Sequence, residues 1–368
     1  MVAPTMRPHL LAPRALGSLF LLASASCAPT PPAVTPPAAH PSASAAPVEG
    51  EYGMIGILDV NLPPPAPPAK ASPPAPPPAP PAPPLPSPPA PPYEILRPPP
   101  GSPLDQAAAQ AERGEWAPAR KTLAARMPAL DAGARLDDAM AGHALLGRAC
   151  DMLKDAACAA EHYGKVVALW SAPDAEQKLG AGAGDDAERS RRTTRAVTAA
   201  GEALFFAAER KRAAADAIVF PVYAGSGSRE DVLAFVKREV AVWVKRKRPA
   251  IEEAEHAYLA VLKLRPSSPP RWTLAAMERT GRMWADFVRE FRATPTPAEW
   301  KGAGPVPGAG GLTYEQLRAE YMKGISEASE PQQERARNTF RVCRDWGIKH
   351  AIADEHTRVC EAWLTANP

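Results

Sequence analysis

Four of the five cysteines, Cys150, Cys158, Cys343 and Cys360, fall in two local pairs, and the fifth, Cys27, stands alone near the N-terminus. A disulfide needs Cα atoms roughly 4.4 to 6.8 Å apart. Lys154-Asp155 is a tight turn between the first pair, and a turn near Gly347 to Asp354 sits almost symmetrically between the second. The spacing predicts bonds 150–158 and 343–360; the alternative is free thiols buried as small apolar side chains. No CxxC occurs, so zinc is not expected. Glu253-x-x-His256 has the form of half a carboxylate di-iron site but has no second copy, and reads as a solvated helix face. His350, Asp354, Glu355 and His356 cluster without a spacing that fixes metal geometry. A Gly-rich phosphate loop, a Ser-His-Asp order and a nucleophile elbow are all missing from the sequence, so no catalytic set, metal or cofactor is expected. Lys245-Arg246-Lys247-Arg248 ends a predicted helix over 228–248, where cations complement the macrodipole. The same run also reads as a basic patch for an acidic protein, lipid headgroups or cell-wall polymer. Trp300, within a Pro/Gly loop from Thr294 to Gly311, is expected as an exposed contact residue.

The elements that must position these groups read as helices throughout. From Ala141 to Leu169 apolar residues recur every three or four positions on either side of a turn, which predicts a helical hairpin. A helix start is marked at Ser102-Pro103-Leu104-Asp105, and a further helix is expected over 187–218, after a flexible loop from Ser171 to Asp186. Ser228-Arg-Glu-Asp231 and Thr313-Tyr-Glu-Gln316 have the form of helix-opening caps. Pro249 is expected to end or kink one helix and Pro331 to open another; a helix from Arg271 to Phe291 and a last one bearing Val359, Cys360 and Trp363 complete the set.

In the 141–169 hairpin Leu146, Gly147, Cys150, Ala159, Tyr163 and Val166, with Pro173 beyond, match the small and aromatic positions of a repeat of about 34 residues. This resembles the tetratricopeptide family. Gly114-Glu-Trp116 with Ala119 and Leu123, and Ala254, Tyr258, Val261 and Pro266, are weaker copies at unequal spacing. The region from Arg191 onward, with RPAIEEAEHAYLAVLKLRP and RVCEAWLTANP, also resembles the C-terminal parts of tetratricopeptide envelope proteins of gliding-type bacteria. The fold expected is all-α: an irregular, right-handed solenoid of helix pairs over 102–368. The resemblance implies protein binding along first helices of the pairs, where helix phase places His143 and Arg148, and an assembly role rather than an enzyme.

Arg7 and Arg14 precede an apolar run, Ala15 to Leu22, and small residues lead to Cys27, the layout of an export signal over 1–26. The run is shorter than the roughly 20 residues of a stable anchor. Its end resembles a bacterial lipoprotein box, which implies lipidation of Cys27 and, with Ala28 following, the outer membrane; plain cleavage after Ala25 is the alternative. Removing 1–26 takes away two positive charges and lowers the formal charge from +3 to +1, so no nucleic-acid partner is implied. Residues 27–101 are dominated by Pro, Ala and Ser and read as a disordered stalk of polyproline II, interrupted by the apolar island Glu51 to Leu62. The expected function is a periplasm-facing, lipid-anchored scaffold for envelope proteins; a peptidoglycan- or carbohydrate-binding protein and a structural tether are the alternatives. Oligomeric state has no signature in the sequence.

Overall fold

A computed structural model describes residues 84–368 except 94–97, 99, 103, 134 and 308, and the described residues form helices and connecting segments with a single isolated antiparallel bridge, Pro305 to Thr313. The export segment, Cys27 and the 51–62 island lie outside the described residues. No described helix is long and apolar enough to cross a membrane.

The helices are α1 (Asp105–Glu112), α2 (Trp116–Asp131), α3 (Leu136–Met152), α4 (Ala156–Trp170), α5 (Ala175–Gly180), α6 (Asp186–Asp216), α7 (Arg229–Phe235), α8 (Ala241–Leu262), α9 (Pro270–Arg292), α10 (Tyr314–Lys349) and α11 (Glu355–Ala366). One turn of π-helix, Val236–Val240, joins α7 to α8, and a 3-10 turn, Ala298–Lys301, lies between α9 and α10. The all-α expectation holds for the described residues.

Helix starts follow local chemistry. Asp155 accepts from Cys158 N, Ser228 from Asp231 N and Asp354 from Thr357 N, each filling an orphan donor of a first turn. Thr313 and Gln316 close the reciprocal capping box of α10. Two expected breaks are absent: α8 runs through Pro249 and α10 through Pro331. Both rings sit on exposed sides, where water can take the carbonyl that each proline leaves unpaired. On the other side Trp243, Ile251, Ala254 and Tyr258 continue one buried face of α8, and Ile325, Ala336 and Phe340 one of α10. Burying those faces outweighs an interior proline's cost of about 3 kcal/mol. The segment read as a loop over 171–186 contains α5, which Ala175 and Leu179 anchor.

Sequential helices pack pairwise: α1 with α2, α3 with α4, α6 with α8 across the short α7, and α9 with α10. One apolar cluster joins α1–α6, with Leu123, Met140, Leu146 and Tyr163 at its centre; a second joins α6–α11, with Tyr258, Trp272, Trp284 and Phe340. α6 contributes to both, and within the second α9 touches α6, α8, α10 and α11 and is buried on nearly every side.

Candidate functional site: a donor-lined groove along α9

A helix buried all round should be apolar all round, yet α9 carries Glu278, Arg279 and Arg282 with exposures of 0%, 2% and 5%. Their charges are matched locally. Arg282 Nε donates to Glu278 Oε1 at 2.8 Å, Arg279 Nη1 donates to Glu278 Oε2, and Arg279 Nε reaches Glu209 Oε1 of α6 at 3.2 Å. His356 of α11 brings Nδ1 to 3.5 Å from Glu278 Oε2. Burial alone would raise the Glu278 carboxyl; the nearby His356, Arg279 and Arg282 outweigh it and hold it at about 2. Glu209 behaves alike: burial opposes the shift, but Arg212, Arg279 and Tyr258 draw it below the usual carboxylate range.

What these cations face is the end of the proline-rich tract. Residues Pro84 to Tyr93, expected to continue a free stalk to 101, lie instead against the helices. Arg282 Nη1 donates to Pro86 O at 2.5 Å, Arg279 Nη2 to Pro89 O at 2.5 Å and His356 Nε2 to Ala90 O at 3.2 Å. Since a carbonyl only accepts, His356 Nε2 is the donor in that bond. In polyproline II, residues three apart share a face, so Pro86 and Pro89 present their carbonyls to one side of the segment.

Apolar contacts hold the two ends. Leu85 packs on the α6–α11 cluster, beside a cavity of about 360 Å³ bordered by Val288, Arg292, Val359 and Trp363. Tyr93 meets Trp272 edge-on with ring centroids 6.1 Å apart, and the Arg148 guanidinium lies 4.7 Å above its ring. The Tyr93 hydroxyl donates to Asp151 Oδ2 at 3.0 Å; burial, together with Asp151 and Glu202, pushes its pKa far up. Arg148 is held in turn by Glu202, which also accepts from the Tyr163 hydroxyl at 2.8 Å.

Of the residues proposed for binding from sequence, Arg148 reaches this groove and Lys247 borders the cavity beside Pro84 to Pro88, whereas the others stand elsewhere. His143 is buried away from it, with Nδ1 3.1 Å from His162 Nδ1 and Nε2 2.9 Å from Asp131 Oδ1. The four basic residues do not form one patch or end a helix, because α8 continues past them. Lys245 and Arg246 are exposed, Lys247 is buried with Nζ donating to Ile218 O at 3.1 Å, and Arg248 Nε lies 3.1 Å from Glu252 Oε1. Trp300 is buried rather than exposed: it packs edge-on against Tyr321, with centroids 5.5 Å apart, because its loop folds back as the 3-10 turn. Cys150 and Cys158 Sγ are 1.96 Å apart across the α3–α4 turn, and Cys343 and Cys360 Sγ 2.05 Å apart between α10 and α11. His350, Asp354, Glu355 and His356 do not converge; among the described residues no three His, Cys, Asp or Glu side chains are placed to hold one metal ion.

Sequence reasoning passed over Glu278, Arg279, Arg282, Trp272 and Tyr93. No local signal marks the three charges, because they lie on the polar side of an amphipathic helix and read as a solvated face. Comparison with protein-family models, curated proteins and solved structures finds no match to this chain.

Proposed function

We propose that the chain is a non-enzymatic, protein-binding scaffold of the bacterial cell envelope, exported and lipid-anchored through Cys27, in which an irregular tetratricopeptide-like solenoid holds extended polypeptide along α9. One observation carries the reading: an extended segment is held in the groove by side-chain donors to its main-chain carbonyls, with side chains seated at both ends. Main-chain contacts supply affinity for an extended chain, and end pockets supply selectivity. Placing a photo-crosslinking amino acid at half-buried Val359, which borders the same cavity, and, separately, at exposed Val342 in the full chain in its native envelope tests it. The reading expects a protein adduct from the first position and none from the second; equal or absent adducts contradict it.

A second reading, a structural tether, has its own support, since the same contacts fasten the stalk's end to the helical body. Shortening the tract upstream of Pro84 while keeping the anchor separates the two. A scaffold retains its adduct, and a tether loses its function.

A further inference from the structure

The three hydrogen bonds from helix side chains to the segment's main chain all end on carbonyls, although Asp216, Asp286 and Glu290 also border the cavity beside Pro84 to Pro88. Besides the three N–H groups bonded to Pro86, Pro89 and Ala90, buried Trp272 Nε1, Arg148 Nη1 and Arg282 Nη2 have no acceptor among the described residues. An ordinary extended segment brings an N–H at every residue and needs acceptors in return. A proline-rich one brings carbonyls without the matching donors, and six of the ten residues from Pro84 to Tyr93 are proline.

The chain also supplies a comparison. Pro78-Ala-Pro-Pro-Ala-Pro-Pro-Leu85 and Pro86-Ser-Pro-Pro-Ala-Pro-Pro-Tyr93 agree at six of eight positions, and the second, which lies in the groove, ends in tyrosine where the first has leucine. Tyr93 is also the residue with the most specific seat, formed by Trp272, Arg148 and Asp151.

We propose that the groove along α9 is a receptor for proline-rich segments of the form Pro-x-Pro-Pro-x-Pro-Pro-Tyr on a partner protein, and that residues 86–93 are its resident, displaceable ligand. This rests on the reading of the groove as a peptide-binding face and names its ligand class. A resident ligand lowers the apparent affinity for a partner by the fraction of time the groove is empty, so weakening the resident strengthens the partner.

The test uses the full chain and a labelled synthetic peptide of residues 85–93, read by fluorescence anisotropy. Tyr93→Ala is expected to bind the peptide at least tenfold more tightly than the unaltered chain, with Tyr93→Phe between them. Peptides ending in Leu or Ala in place of Tyr should bind Tyr93→Ala at least fivefold more weakly, a comparison that leaves the protein unchanged. Equal affinities of Tyr93→Ala and the unaltered chain, or indifference to the last residue, overturn the proposal. So does a mixture of the two proteins that associates at micromolar concentration through exchanged segments, which makes a second copy the occupant. A proline-free extended peptide ending in Tyr that binds Tyr93→Ala equally well removes the ligand class and leaves the scaffold reading standing. If no peptide binds, both fall.

Discussion

At the scale of single residues the groove depends on a buried acid between two buried guanidinium groups. Glu278 is drawn down to about 2 from its ordinary 4.5, so the folded state holds the proton less tightly than the unfolded one. Its stabilisation is full above about pH 4.5 and is lost as the pH falls toward 2. Glu278→Gln should lower stability at pH 7 by about 3 to 5 kcal/mol, because it leaves buried cations with a neutral partner. The difference between variant and parent in thermal unfolding should shrink below pH 4.5; a difference that persists unchanged at pH 2.5 contradicts the assignment. The histidine pair shifts in the same direction for a different reason. Burial lowers both His143 and His162 below 6.5, and the neighbouring His143 ring further disfavours protonation of His162, so their share of stability falls as the pH drops below 6.5. His162→Gln should flatten the pH dependence of unfolding between 6.5 and 5. None of this was legible in the sequence, where Glu278, Arg279 and Arg282 look like a solvated face. Their burial depends on α6, α8, α10 and α11 closing around α9, and no local pattern reports that.

At the scale of elements the helix pairs depend on close approach. A Cβ at Gly147 would stand 3.2 Å from the Tyr163 ring, and one at Gly281 would stand 3.0 Å from the Phe340 ring. Tyr163 cannot swing aside without breaking its bond to Glu202, so Gly147→Ala should destabilise by about 1 to 3 kcal/mol in chemical denaturation. A neutral or stabilising result would mean that the α3–α4 crossing is looser than the structure has it. Gly147, Ala159 and Tyr163 were readable because their spacing lies within one hairpin. So were the capped starts at Ser228 and Thr313, whose partners lie three residues away. Pro249 and Pro331 misled for the converse reason. Their local penalty is real, but the faces that carry each helix through them are buried against partners distant in sequence.

At the scale of the whole molecule, Cys360 lies four residues after His356, and its pairing with Cys343 sets α11 on α10 so that His356 meets Ala90. Alkylation of the unreduced, unfolded protein should label none of Cys150, Cys158, Cys343 and Cys360; labelling of all four contradicts both bonds. The composition of the tract was plain in the sequence, but that Pro84 to Tyr93 pack on the helices was not, since so uniform a run has no alternation of apolar and polar residues to betray a partner. Only Tyr93, an aromatic at the end of the last Pro-Pro-Ala-Pro-Pro unit, marks the docked copy. The central claim is that the groove along α9 holds this segment, and it predicts a specific proximity in the full chain in solution. Selective labelling of tyrosine and tryptophan rings, with Tyr93 assigned by its loss in Tyr93→Phe, should give a nuclear Overhauser cross-peak between the Tyr93 ring and the Trp272 indole. A Tyr93 ring at its random-coil shift with no cross-peak to Trp272 would contradict the account.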